Sequence, residues 1–120
     1  MSTPTATFAG TPLKLITSAG TNGANKIPQT AKIWGWDLAN TSAAWKYVKI
    51  HDVAGAVTVG TTPVLFTIGI PPNGKASYCI DKGLELYNGL GWSVTNLPAD
   101  NDTTAVAAND VIGHIAANPY

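Results

Sequence analysis

Short runs in which apolar and polar residues alternate dominate this chain. Side chains that alternate with a period of two belong to half-buried β-strands. Two of these runs are Thr30–Leu38 and Ala44–Val53, and the second places Trp45, Tyr47, Lys49 and His51 opposite Lys46, Val48, Ile50 and Asp52. The other strand candidates are Leu13–Thr17, Val64–Ile70, Lys75–Asp81, Leu84–Thr95 and Asp110–Ala116. The pattern predicts seven or eight short strands and no helix longer than a turn.

Glycine, proline and asparagine separate these runs. Ser18–Pro28 is dense in Gly and Asn and is expected to be a loop. Asn73-Gly74 tolerates positive φ at both positions, which predicts a hairpin between Val64–Ile70 and Lys75–Asp81. Gly89 and Gly91 indicate a bulge or a close approach of two backbones.

These elements predict an all-β fold, a single antiparallel β-sandwich of jelly-roll or Ig-like type. Residues 1–12 hold four threonines and two prolines and are expected to form an extended N-terminal arm. Residues 13–120 are expected to form the sandwich domain. In the run Thr30–Leu38, Trp34 and Trp36 have the same parity, so we expect both on one buried or interfacial face.

Charge narrows the classes of function. The 120 residues include seven lysines, no arginine and seven acidic residues, for a net charge of zero, and only 12% are charged. Because nucleic-acid modules carry clustered positive charge, nucleic-acid binding is not expected. A surface so poor in charge favours association, and we expect a homo-oligomer. The sequence has no signal-peptide pattern and no apolar run of membrane-span length, so we expect neither export by the ordinary route nor membrane insertion.

Cys79 is the single cysteine and the first candidate for catalysis, with His51 or His114 as its partner. A thiol nucleophile needs a neighbouring imidazolium or a helix N-terminus to lower its pKa, and no helix is predicted. Cys79 lies in an alternating run, where a free cysteine usually packs as a small apolar residue. We therefore expect Cys79 to be packed and unreactive.

Carboxylates give two further candidates. A glycosidase needs two of them facing each other across a cleft, but Asp37, Asp52, Asp81 and Glu85 are scattered near predicted strand ends. The tract 98–110 holds Asp100, Asp102 and Asp110, which could seed a calcium site. EF-hand spacing is absent, and Asx turns explain the same residues. We expect a structural loop and no cofactor.

The aromatic residues are the last candidates. Trp34, Trp36, Trp45, Trp92, Tyr47, Tyr78, Tyr87 and Tyr120 could stack on sugar rings, fill the core or dominate a subunit interface. The sequence leaves these three roles open.

The C-terminal third carries a resemblance. The strings LGWSVTN (90–96), ADNDTTAV (99–106) and NDV (109–111) resemble small β-sandwich virion structural proteins of tailed bacteriophages. Residues 45–50, WKYVKI, and 59–65, VGTTPVL, resemble that family's stretch RYVKLY…TVGTDTPVL. The resemblance covers roughly residues 32–116 and leaves the arm unmatched.

This resemblance implies a non-enzymatic virion component, most of all a capsid cement or decoration protein that bridges subunits of the major capsid protein. It implies location in the virion after synthesis in the bacterial cytoplasm, with the major capsid protein or other virion proteins as partners. The alternative is a tail- or fibre-associated module that binds a carbohydrate or receptor. The expected contact residues are Thr3, Thr5, Phe8, Trp36, Trp45, Asp100, Asn101, Asp102 and Tyr120.

Overall fold

The computed structural model describes residues 10–120, which form eight β-strands and no helix. The strands are β1 (Thr11–Ile16), β2 (Ala24–Ile27), β3 (Ala31–Asn40), β4 (Lys46–Asp52), β5 (Phe66–Ile70), β6 (Lys75–Leu86), β7 (Leu90–Thr95) and β8 (Val111–Pro119). The all-β prediction is confirmed. Residues 1–9, most of the expected arm, lie outside the described residues, and β1 already begins at Thr11.

The strands form two antiparallel sheets of four. Sheet I has the order β1-β8-β3-β6 and sheet II the order β2-β7-β4-β5. Strand 1 therefore pairs with 8, 2 with 7, 3 with 6 and 4 with 5. A ribbon of paired strands folded over itself in this way is the jelly-roll arrangement, one of the two sandwich types that the sequence left open.

The core lies between the sheets and is built from apolar side chains on alternate positions. Ile33 and Leu38 of β3, Val48 and Ile50 of β4, and Ile115 of β8 are all fully buried. Burial of one such side chain contributes about 1.5–3 kcal/mol, so this layer supplies the main stabilisation of the sandwich.

A bulge in β3 overturns the expectation that Trp34 and Trp36 share a face. The register with β8 passes from Ile33↔Ala117 directly to Gly35↔Ala116, so Trp34 is the extra residue. The inserted residue shifts the alternation by one position. Trp34 consequently bonds Asn118 on the outside of sheet I, while Trp36 packs against the core.

Two loop predictions are also wrong. The segment 18–28 contains strand β2, which pairs with β7. The turn at Asn73-Gly74 exists, with the Gly74 amide donating to the Pro71 carbonyl at 3.1 Å, but it joins no hairpin. It carries the chain from β5 in sheet II to β6 in sheet I, because β5 pairs with β4 and β6 pairs with β3.

The predicted run Leu84–Thr95 is divided between the two sheets. Its first part ends β6 in sheet I and its second part is β7 in sheet II. The expected close approach at Gly89 is confirmed, since a Cβ there would lie 2.4 Å from the Ile27 carbonyl oxygen and 2.5 Å from that of Val53.

Candidate functional site

The outer surfaces of the two sheets differ in how far loops cover them, and most candidate residues lie on one surface or the other. The outer side of sheet II, here called the loop face, is covered by the chain segments 53–65 and 96–110. It buries Lys49, His51, Ser93 and Thr95. The outer side of sheet I, here called the open face, leaves Lys14, Ile16, Ser77 and Cys79 exposed.

Two lysines of β4 hold the segment 96–110, Lys49 from the loop face and Lys46 from the opposite, core-facing side of the strand. Lys46 donates to the side-chain oxygen of Asn96 and lies 3.5 Å from the Asp110 carboxylate. Lys49 is 1% exposed and donates to the Ala99 carbonyl. Burial lowers the pKa of Lys49, although the nearby Asp102 and Asp100 partly oppose that shift. These contacts hold the segment 96–110 in one position on the surface.

Beside Lys49, His51 and Ser93 form a fully hydrogen-bonded buried pair. Nδ1 of His51 lies 3.0 Å from the Pro63 carbonyl, and Nε2 lies 2.9 Å from Ser93 Oγ. A carbonyl only accepts, so Nδ1 carries the proton and Nε2 accepts from the Ser93 hydroxyl. A hydroxyl bonded to an imidazole resembles a catalytic dyad, but both residues are buried, so the pair anchors the segment 53–65.

The calcium candidates are engaged in local hydrogen bonds. Oδ2 of Asp102 accepts from the Leu97 and Thr104 amides and from the Thr104 hydroxyl. These bonds outweigh the effect of burial and lower the pKa of Asp102. Asp110 accepts from the Ala107 amide, and Asp100 is exposed near Lys49. Within residues 10–120, no group of three His, Cys, Asp or Glu side chains is placed to hold a metal ion.

The open face holds a groove of about 540 Å³, lined by residues of β3, β6 and β8. Its polar side chains include Asp37, Ser77, Asp81 and His114, and Trp34 and Cys79 also line it. The groove volume lies within the range of small-molecule sites. The strand register brings three of these polar residues into one row, here called the polar row. His114 lies opposite Asp37, and Asp37 lies opposite Ser77 across the sheet.

Asp37 lies at the centre of this polar row. Its Oδ1 accepts from Ser77 Oγ at 2.6 Å and lies 3.9 Å from Lys75 Nζ. The hydrogen bond from Ser77 lowers the pKa of Asp37, and the positive charges of Lys75 and His114 add to that shift. For the part of the chain that the structure describes, no hydrogen-bond partner contacts Oδ2 of Asp37.

Trp34 is held in place on the same face. Its Nε1 donates to Asn118 Oδ1 at 2.9 Å, and Lys32 Nζ lies 5.4 Å from the ring centroid. A Cβ at Gly83 would lie 3.1 Å from the indole, so the small residue makes room for the ring. The bulge in β3 directs Trp34 outward, and these contacts fix its orientation.

The expectation that Cys79 is packed is wrong, because its side chain is exposed and lines the groove. It lies on the outer side of β6, an edge strand of sheet I, where no second layer formed by residues 10–120 covers it. Among the other catalytic candidates, Asp37 and Asp81 line the groove. Asp52 instead accepts from the amides at positions 87–89 and shapes the turn between β6 and β7.

The expected contact residues lie in separate places. Trp45 is 49% exposed, and its ring is stacked on Tyr47 at 6.3 Å, on the loop face. Asp100 and Asn101 are exposed on that face, and Asp102 is half-buried. Trp36 is half-buried between Phe66 and Tyr78, and Tyr120 is 64% exposed with Lys32 4.1 Å from its ring. Thr3, Thr5 and Phe8 lie outside the described residues.

The sequence did not predict the groove. Its polar row joins three strands that are distant in sequence, and Trp34 reaches it only through the bulge. The one signal available was Gly35 beside two tryptophans, since glycine inside a strand often marks a bulge.

The comparisons with known proteins add no relative. No protein-family model matches the chain, and neither a curated protein nor a solved structure does. Across residues 10–120, no helix is long and apolar enough to cross a membrane.

Proposed function

We propose that this protein is a non-enzymatic structural component of a tailed-phage virion, a cement or decoration protein that bridges subunits of the major capsid protein. The resemblance of its sequence to such virion proteins suggests this role. The jelly roll is an architecture of viral capsid domains, which is a fold-level analogy. The contact proposal itself depends on the loop face.

The observation that carries the proposal is that Trp45 is both exposed and held in a defined orientation. This side chain is half exposed, yet its ring is nearly parallel to that of Tyr47, at an angle of 15°. Both rings lie over Gly69 of β5. An exposed tryptophan that is already ordered loses little conformational entropy on association, and tryptophan is enriched among the residues that dominate interface energy.

The segment 96–110 extends this contact surface. Lys46, the residue after Trp45, binds Asn96 and Asp110, which links the start of β4 to the segment. Asp100, near Lys49, and Asn101 are exposed in this segment. A standard interface buries about 800 Å² on each partner, and many copies on a lattice strengthen modest contacts through avidity. The loop face therefore supplies the proposed contact with neighbouring virion proteins.

The number of copies of the protein bound to each virus particle tests this proposal. Protein added to particles that lack it is expected to bind, and Trp45→Ala is expected to reduce the bound copies strongly while the circular dichroism spectrum stays unchanged. Tyr87→Ala is the matched control, since Tyr87 is 74% exposed in the turn between β6 and β7. Absence of the protein from purified virions by mass spectrometry, or equal occupancy for both variants, contradicts the proposal.

The second candidate function is a tail- or fibre-associated module that binds a carbohydrate or receptor. The groove on the open face favours it, because an ordered indole lies beside polar groups there. Lectin domains also use the jelly roll, again as a fold-level analogy. Attachment through the loop face would leave this groove accessible.

A further inference from the structure

The groove on the open face combines three kinds of group within one concave site. Trp34 supplies an aromatic surface, Asp37 a carboxylate, and Ser77 and His114 further hydrogen-bonding side chains. Sugar rings present an apolar C–H surface on one side and hydroxyl groups at their rim. Ligand sites of this kind pair aromatic walls with a few placed polar groups. The composition of the groove thus matches the chemistry of a saccharide.

The groups in the groove are held before any ligand arrives. Trp34 uses its only donor, Nε1, on Asn118, so the ring is oriented and only its apolar surface remains for contact. Ser77 donates to Oδ1 of Asp37, while Oδ2 has no hydrogen-bond partner among residues 10–120. A carboxylate oxygen can accept hydrogen bonds from two hydroxyl groups, such as adjacent hydroxyls of one sugar ring.

The charged side chains of the groove favour neutral saccharides over anionic ones. Two carboxylates, Asp37 and Asp81, line the groove, and no arginine exists in the chain. Phosphate, sulfate and carboxylate groups are usually held by arginine forks or clustered positive charge. An anionic sugar would face two like charges here, with Lys75 near Asp37 as partial compensation. A neutral sugar meets no such repulsion.

We propose that this groove binds a neutral saccharide, with Trp34 packing against the C–H face of a sugar ring and Asp37 accepting hydrogen bonds from its hydroxyl groups. Ser77 and His114 border the same ring. The inference rests on the second candidate function and is independent of the contacts proposed for the loop face. Particle binding through Trp45 and saccharide binding through Trp34 can therefore fail separately.

A glycan array probed with the full chain is the first experiment, followed by titration of the free oligosaccharide that gives the strongest signal. Neutral glycans are expected to bind and sialylated or sulfated glycans are not. Asp37→Asn is expected to weaken binding about ten- to a hundredfold, because it removes a charged acceptor. Glu85→Gln, a similar change on the outer side of β6 away from the groove, is expected to have no effect.

Cys79 reports on the same site without a substitution in the groove. As the only cysteine, and exposed, it is expected to react with a maleimide in the native protein. A bound oligosaccharide is expected to slow this reaction, and the bulky label is expected to abolish glycan binding. Trp34→Phe is expected to keep part of the affinity and Trp34→Ala to lose it, with folding of each checked by its unfolding midpoint.

Three results overturn the inference. They are no signal from the wild-type chain on any neutral glycan, signals from anionic glycans only, and binding that survives both Asp37→Asn and labelling of Cys79. None of these results bears on particle occupancy, which depends on the opposite face.

Discussion

The hydroxyl of Ser93 donates a 2.9 Å hydrogen bond to Nε2 of His51, and both side chains are fully buried on the loop face. His51 donates in turn to the Pro63 carbonyl, so this short chain of bonds fixes strands β4 and β7 and the segment 53–65 to one another. Polar residues on the outer side of a strand thereby become part of a second, polar core beneath the loops.

Ser93→Ala is expected to leave Nε2 of His51 buried without a donor. Such an unsatisfied group costs about 1–3 kcal/mol, which should appear as a lower free energy of unfolding in urea. Ser77→Ala is the control, because Ser77 is exposed and water can replace its bond to Asp37. Equal losses in the two variants would contradict the buried role of Ser93.

Acid is expected to destabilise the fold through His51. Burial lowers the pKa of His51 in the folded state, below its ordinary value of 6.5. The unfolded chain then binds the proton more readily, so this contribution to stability is complete above about pH 6.5. It is lost as the pH falls from there towards the lowered pKa of the folded protein.

Urea midpoints measured between about pH 8 and about pH 5 test this expectation. His114→Gln should keep the loss of stability at low pH, whereas His51→Gln should flatten it, whatever its stability at neutral pH. A flat profile in the wild-type chain would refute the role of His51.

Lys49→Met is expected to loosen the segment 96–110 while changing global stability little. The substitution removes the donor to the Ala99 carbonyl but also removes the cost of burying a charge, which a well-packed apolar residue avoids. Hydrogen exchange at the Gly20 and Val106 amides, which bridge that segment to residue 20, should accelerate. Lys75→Met, on an exposed ion pair, should leave exchange at both amides unchanged.

Gly113→Ala is expected to be among the most damaging small substitutions. A Cβ at Gly113 would lie 2.0 Å from the Asp37 carbonyl oxygen, so β8 and β3 must separate. Forced overpacking costs about 1–3 kcal/mol or more, measurable as a fall in the unfolding midpoint. Among residues 10–120, no atom lies within 4 Å of a Cβ at Gly55, so Gly55→Ala should be neutral or slightly stabilising. Tolerance of both changes would contradict the register of β3 with β8.

Local pattern predicted the strands well because alternation is a property of neighbouring residues. The run Ala44–Val53 gave the correct parity for β4, with Val48 and Ile50 in the core. The same reasoning failed at Trp34 and Trp36, since one inserted residue reverses the alternation without altering composition. It also failed for β2, whose four residues lie in a Gly- and Asn-rich stretch and gain their structure by pairing with β7.

The sequence by itself determined an all-β sandwich, because strand length and alternation are encoded residue by residue. Only the tertiary structure decided which face each candidate occupies. Lys49 looks solvent-exposed in the sequence but is buried, because residues about 50 positions later fold over it. Asp37, Ser77 and His114 are separated in the chain and meet because three strands align in one register. Pairing between distant segments depends on the free energy of the whole fold, and no local pattern contains that information.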